Sequence, residues 1–230
     1  MSAAFPAAAG HRSAPTVWFD FGGVLSPPLP ELFRSFEKKT GITPEQMYDA
    51  LAEVERELGV PVLEPIELGT MPETEWAALL SAALRHRWPE VDQSRADWRH
   101  FGRQWFDGIT VDEDMAAAAG LLHQEGFRVG VLSNNVREWG PYWKKMIGSV
   151  PFDVMVDSCD HGVRKPQPEI YELAERTARV AADDCVLIDD LAENCAAAEA
   201  AGWTTVHFRD TRQALLELSA ITGVRLCRLP

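Results

Sequence analysis

Apolar positions fall into two regimes along the chain. At residues 16–19 (TVWF) they are consecutive, β-branched or aromatic, and they are followed by Asp20, Phe21 and the pair Gly22-Gly23. A short unbroken run of this kind predicts a buried strand, and the glycines predict a tight turn after it. From Pro27 to about Thr110 strand-like runs are scarce and apolar residues recur at helical spacing. Helices are predicted over residues 31–39, 44–58, 72–87 and 93–106, punctuated by prolines, with the tryptophans there filling a helical core. From Val111 onward the two patterns alternate. A helix over 113–124 precedes a strand at 127–132 (FRVGVL); further strands are predicted at 152–156, 185–188 (CVLI) and 204–208, with helices over 169–180 and 192–201.

Strands separated by helical segments require right-handed crossovers and a parallel sheet covered on both faces. The chain therefore reads as α/β: a Rossmann-like three-layer α/β/α core from residues 16–27 and 111–230, a helical domain over 28–110 inserted after the first strand, and an Ala/Pro-rich disordered tail over 1–15. Ligands of open parallel sheets bind beyond the carboxyl ends of the strands. The residues standing there are Asp20 after the first strand, Ser133 after the second and Asp189-Asp190 after CVLI, with Lys165 in the loop leading to the helix at 169.

Converging carboxylates repel unless a cation lies between them, and hard oxygen donors select Mg²⁺. Lys165 would neutralise a carboxylate or a bound phosphate, and the Ser133 hydroxyl with the backbone N–H of Asn134 would hold phosphate oxygens. A carboxylate left free to attack phosphorus would transfer the phosphoryl group through an aspartyl-phosphate. Each residue alone has an ordinary structural explanation, as turn former, helix N-cap or solvated charge. Their coincidence at neighbouring strand ends favours the chemistry.

The segments Phe19-Asp20-Phe21-Gly22-Gly23, Leu132-Ser133-Asn134-Asn135, Gly162-Val163-Arg164-Lys165-Pro166 through Tyr171, and Ile188-Asp189-Asp190 with Asn194 follow one another in the order of the four motifs of the haloacid dehalogenase-like (HAD) superfamily. The resemblance covers residues 17–208 and is similar in pattern to the phosphatase-like domain of soluble epoxide hydrolases and to the bacterial glucose-1-phosphate phosphatase group. It implies Asp20 as nucleophile and Mg²⁺ ligand. The Gly22 carbonyl and Asp190 would complete the metal site, with Asp189 direct or through water. Ser133, Asn134 and the Gly22-Gly23 turn would meet the substrate, Lys165 would orient the phosphate, and residues 28–110 would form the cap.

One position departs from the pattern. Phosphatases of the superfamily carry a second Asp two residues after the nucleophile as general acid and base, and here that residue is Gly22. Loss of such a group costs about 10²–10⁴ in rate. Three readings follow: hydrolysis restricted to esters with easy leaving groups (sugar-1-phosphates, acyl or aryl phosphates), a metal-independent 2-haloacid dehalogenase, or a protein that binds phosphate and Mg²⁺ without turnover. The dehalogenases of the superfamily carry Ser-Asn where this chain has Asp189-Asp190, which counts against the second. His161 is a candidate substitute acid–base, and Trp139 and Trp143 are candidates for the substrate entrance.

Composition narrows the partners. The 230 residues carry 22 Lys+Arg against 35 Asp+Glu, a net charge of −13, which disfavours nucleic acid and anionic membranes. No apolar run approaches the ~20 residues of a membrane span. The four cysteines lack CxxC spacing and read as buried thiols in a reducing compartment, and the histidines lack metal-ligand spacing. The sequence-level expectation is a cytoplasmic enzyme acting on a small phosphorylated molecule, with a second copy of the chain as a candidate partner.

Overall fold

The structure, a computed structural model, describes residues 15–226. The expected tail over residues 1–15 therefore lies outside the described residues apart from Pro15, whose carbonyl accepts the Arg128 N–H. The first strand, β1 (Thr16–Phe19), ends at Asp20 and runs into a tight turn over Phe21–Leu25. Five helices follow without an intervening strand: α1 (Leu29–Thr40), α2 (Pro44–Leu58), α3 (Glu64–Glu67), α4 (Glu73–Arg87) and α5 (Phe101–Phe106). The chain then alternates through α6 (Glu113–Gln124), β2 (Arg128–Ser133), α7 (Gly140–Met146), β3 (Val154–Asp157), α8 (Ser158–His161), α9 (Pro168–Ala178), β4 (Cys185–Asp189), α10 (Ala192–Ala200), β5 (Thr204–His207) and α11 (Thr211–Thr222).

The five strands form one parallel sheet in the order β3-β2-β1-β4-β5. β1 is central, and the strand order reverses on either side of it, so the crevice where an open α/β sheet takes its ligand lies over the end of β1. Alternation along the strands divides the core in two. Val17 and Phe19 face one side with Val129, Val131, Val186 and Ile188. Trp18 faces the other with Leu132, Leu187, Tyr171 and Trp203. The Trp18 ring stacks on Trp203 at 6.0 Å, and Gly130 passes beneath it, where a Cβ would sit 2.6 Å from the indole.

The helical layer packs around Phe33, Phe36, Trp76, Phe101 and Trp105, all buried. Helix starts follow local chemistry: Thr43 and Gln46 form a reciprocal capping box on α2, and Asp112 and Asp210 cap α6 and α11. The expected helix over 93–106 is corrected, since only Phe101–Phe106 is helical. Asp92 Oδ1 accepts the Ser94 N–H and Asp97 Oδ1 that of His100, so side chains compete for the amides that a helix would need. Helices α7 and α11 were not anticipated. No helix among the described residues is long and apolar enough to cross a membrane.

Candidate active site

The ends of β1, β2 and β4 bring their polar residues together. The Asp20 N–H still bonds the Ile188 carbonyl (2.9 Å), so Asp20 extends the ladder and its carboxylate stands at the sheet's edge. Lys165 joins the group from the loop before α9. Its ammonium lies 2.9 Å from Asp20 Oδ1 and 2.6 Å from Asp189 Oδ2, and it donates to the Leu132 carbonyl at 2.8 Å. Lys165 is 1% and Asp189 0% exposed, so this is an interior ion triad rather than a solvated bridge.

The remaining oxygen of Asp189, Oδ1, accepts from Asn194 Nδ2 and from the Leu191 N–H, both at 2.9 Å. Oxygens of Asp20, Asp189 and Asp190 fall within 4.8 Å of one another. Burial, reinforced by Asp189 and Asp190 and only partly offset by Lys165, pushes the Asp20 carboxyl up to about 7. Asp190 is raised too, by burial first and then by Asp189. Burial alone would lower the Lys165 ammonium, but Asp189 and Asp20 more than reverse this, so it stays charged. The ionisation of Asp20 and Asp190 is thus resisted for want of positive charge, and three clustered oxygen donors fit a hard divalent cation such as Mg²⁺.

The turn after Asp20 sets the geometry of the cluster. Gly23 adopts φ 73°, and a Cβ there would lie 2.4 Å from Asp190 Oδ2, so only glycine lets the Asp190 carboxylate close over the turn. Gly22 has no such constraint, its nearest neighbour being Asp20 Oδ2 at 3.9 Å from a built Cβ. A cleft of about 370 Å³ opens beside Gly23, lined also by Ser26, Pro28, Val111, Phe208 and Arg209.

Ser133 closes β2 and is buried. The Asn134 side chain points back to the lysine loop: Nδ2 donates to the Lys165 carbonyl (2.9 Å) and Oδ1 accepts the Lys165 N–H (2.8 Å). It therefore braces Lys165, a contact that spacing did not reveal. Asp20, Ser133, Asn134, Lys165, Asp189 and Asp190 are thus gathered at one sheet edge, with Gly22 and Gly23 beside them. His161 is exposed. Trp143 is fully buried against Phe21 with ring centroids 5.1 Å apart. Trp139 is stacked on Phe101 at 5.9 Å and donates to Glu73 Oε1 at 2.8 Å, so both tryptophans pack.

A second acidic group at Asp157, Cys159 and Asp160 already faces cations, with Lys144 at 3.6 Å from Asp157 and Arg137 at 3.1 Å from Asp160. Burial pushes the Cys159 thiol up to about 12, away from thiolate chemistry. Sequence reasoning also passed over Glu67, buried on α3 and 2.8 Å from Arg164 Nε. Its only local signal was a carboxylate in a short Pro-containing helix.

Comparison with known proteins bears on this arrangement. A family model described as haloacid dehalogenase-like hydrolase matches residues 14–202. Bifunctional epoxide hydrolase 2 of Sus scrofa is 33% identical over 125 residues, covering 52% of this chain and 22% of that protein. The Mus musculus protein of the same name is 24% identical over 221 residues, covering 92% of this chain and 39% of that protein. The chain thus spans well under half the length of these relatives. Among solved structures, a HAD family enzyme from Bacteroides thetaiotaomicron, in complex with magnesium and inorganic phosphate, aligns with a TM-score of 0.58 at 18% identity, over 84% of this chain and 93% of that one. L-2-haloacid dehalogenase from Xanthobacter autotrophicus, with chloropropionic acid covalently bound, aligns with a TM-score of 0.60 at 18% identity, over 90% and 82%. At such identities the structural likeness speaks to the fold.

Proposed function

Since the chain belongs to the haloacid dehalogenase-like hydrolases, we propose that it is a Mg²⁺-dependent phosphatase of small phosphate monoesters, with Asp20 as nucleophile. The observation that carries this reading is the convergence of Asp20, Asp189 and Asp190 within 4.8 Å around one fixed ammonium at the sheet's edge. Asp20, Asp190 and the Gly22 carbonyl would hold Mg²⁺, with Asp189 direct or through water. The ion would supply positive charge to the three clustered carboxylates, which among the described residues share only the Lys165 ammonium.

The chain's own groups would do the rest. Lys165, the Ser133 hydroxyl and the Asn134 N–H hold the phosphate oxygens while an Asp20 oxygen attacks phosphorus. The new Asp20–phosphorus bond forms as the bond to the leaving oxygen breaks, and water then attacks phosphorus, releasing phosphate and restoring Asp20. Residues 28–110 act as the cap, excluding bulk water and shaping the leaving-group side.

Gly22 offers no proton to the departing oxygen, so the substrates it favours are those whose leaving group departs easily: sugar-1-phosphates, acyl phosphates and aryl phosphates. Phosphate release over such a panel, with and without Mg²⁺ and beside Asp20→Asn, tests the proposal. Mg²⁺-dependent release that vanishes in the variant is expected. Turnover retained by Asp20→Asn would refute the assigned nucleophile.

The side-chain-free Gly22 also suits a dehalogenase, in which a carboxylate displaces halide with no acid beside it. The third carboxylate argues against that reading, because a metal-free site gains nothing from extra buried negative charge. Chloride release from a 2-chloroacid that survives EDTA would reverse the preference. A protein that binds Mg²⁺ and phosphate without turnover is the remaining reading, again because of Gly22.

A further inference from the structure

The four-residue helix α3 pairs with the lysine loop directly and reaches the loop after Ser133 through Ser158. The backbone carbonyl of Glu67 accepts from the Ser158 hydroxyl at 2.6 Å, and that hydroxyl oxygen accepts the Asn135 N–H at 3.1 Å, in the loop that follows Ser133. The Glu67 carboxylate lies 2.8 Å from Arg164 Nε, and Glu64 Oε2 lies 3.4 Å from Arg164 Nη1. Arg164 is the residue immediately before Lys165. Just past the helix, Gly69 lies against the Cys159 carbonyl, where a Cβ would come within 2.7 Å of the oxygen. Arg137 donates to the same carbonyl.

Glu67 is 8% exposed and the Arg164 side chain 16%. A solvated surface pair is worth little and holds geometry loosely, whereas removing one member of a buried pair strands the other's charge. The Arg164–Lys165 backbone is thus held from two sides. Asn134 grips Lys165 from the sheet, and α3 grips Arg164 from the helical layer. If α3 lifts away, Lys165 keeps Asn134 and its contacts to Asp20, Asp189 and Leu132, but Arg164 loses both carboxylates.

We propose that Arg164 is a positioning residue, clamped by Glu67 and Glu64 so that docking of the helical layer through α3 sets the final position of the Lys165 ammonium against Asp20. What the lysine then does rests on the phosphatase reading; the clamp does not. A displacement of about 1 Å in such a group can cost about 10² in rate. The layer that would cover the substrate would thereby also set the lysine beneath it.

The test uses the full chain as Arg164→Gln, Glu67→Gln, the double variant and Arg164→Lys, each checked for folding by its circular-dichroism melt. On the ester that the wild type turns over fastest, with Mg²⁺ saturating, each Gln variant should lose about 10- to 100-fold in kcat while KM moves far less. The double variant should be no worse than the poorer single, and Arg164→Lys should recover part of the loss. Hydrogen exchange at the Asn135 and Lys165 amides should quicken in Glu67→Gln. Wild-type kcat with unchanged exchange in both Gln variants, or losses that multiply in the double variant, would overturn the clamp. If the wild type turns over no ester, the phosphatase reading fails; exchange then decides the clamp alone, faster at Lys165 for it and unchanged against it.

Discussion

Two adjacent glycines after Asp20 answer to different demands. Gly23 is required by a left-handed backbone and by the Asp190 carboxylate pressed against it. Gly22, at φ −68° and ψ 123°, is in a conformation open to any residue, with room for a side chain. Its lack of a carboxylate is therefore chemical and not steric. Gly22→Asp should fold normally and raise phosphate release from poor-leaving-group alkyl esters by about 10² or more; an unchanged rate on such esters would mean that proton donation is not what limits them. Asp20 carries a pH signature. Its carboxyl is raised from 3.8 to about 7 by burial and by its two acidic neighbours. The folded value exceeds the unfolded one, so the stabilisation from binding that proton is complete below about pH 4 and lost as pH rises through about 7. Metal-free protein should therefore melt at lower temperature at about pH 8 than at about pH 5, and Asp20→Asn should flatten that slope. An equal slope in the variant would assign it to another group.

At the scale of elements, the N-terminus of α4 and the loop after β2 are joined by one buried carboxylate. Glu73 Oε1 accepts the Gly102 N–H at 2.5 Å and the Trp139 indole N–H at 2.8 Å, with Gly102 flat beneath the Trp139 ring. Trp139, from the sheet side, is thereby seated among Trp76, Phe101 and Phe106 of the helical layer. Burial raises the Glu73 carboxyl despite these hydrogen bonds. Ionised Glu73 therefore weakens the fold as pH climbs above the ordinary glutamate range. Glu73→Gln keeps an acceptor for both donors and should melt at or above the wild type at neutral pH. Glu73→Ala strands two donors, at a cost of about 1–3 kcal/mol each. Urea unfolding of the two variants separates them, and equal losses would show that the contact matters by volume and not by hydrogen bonding.

For the whole molecule, placing β1 in the middle of the sheet decides which residues meet. β2 and β4 flank it, so the polar residue closing each strand arrives beside Asp20. The acidic surface, with its net charge of −13, favours accumulation of divalent cations and disfavours any polyanion. A cation bound only by the folded state stabilises it by about 2.7 kcal/mol at a hundredfold excess over Kd. Mg²⁺ should accordingly raise the melting temperature of the wild type, and Asp190→Asn should lose most of that shift. A shift that survives in Asp190→Asn would place the ion elsewhere.

The strands, their parallel pairing and the residues at their ends were legible in the chain, because a strand buried on both faces must be an unbroken apolar run and the first polar residue after it marks the sheet's edge. Asp20, Ser133 and Asp189-Asp190 could be named for that reason, and Lys165 from its place in the loop before the helix that follows. The helix expected over 93–106 was not legible, because Asp92 and Asp97 satisfy backbone amides locally, and periodicity does not register that competition. The bracing of Lys165 by Asn134, the seat of Trp139 on Glu73 and the grip of α3 on Arg164 belonged to tertiary structure alone. Each joins residues far apart in the chain, and such a pairing leaves no period in the sequence; it exists only once the sheet and the helical layer have closed on each other.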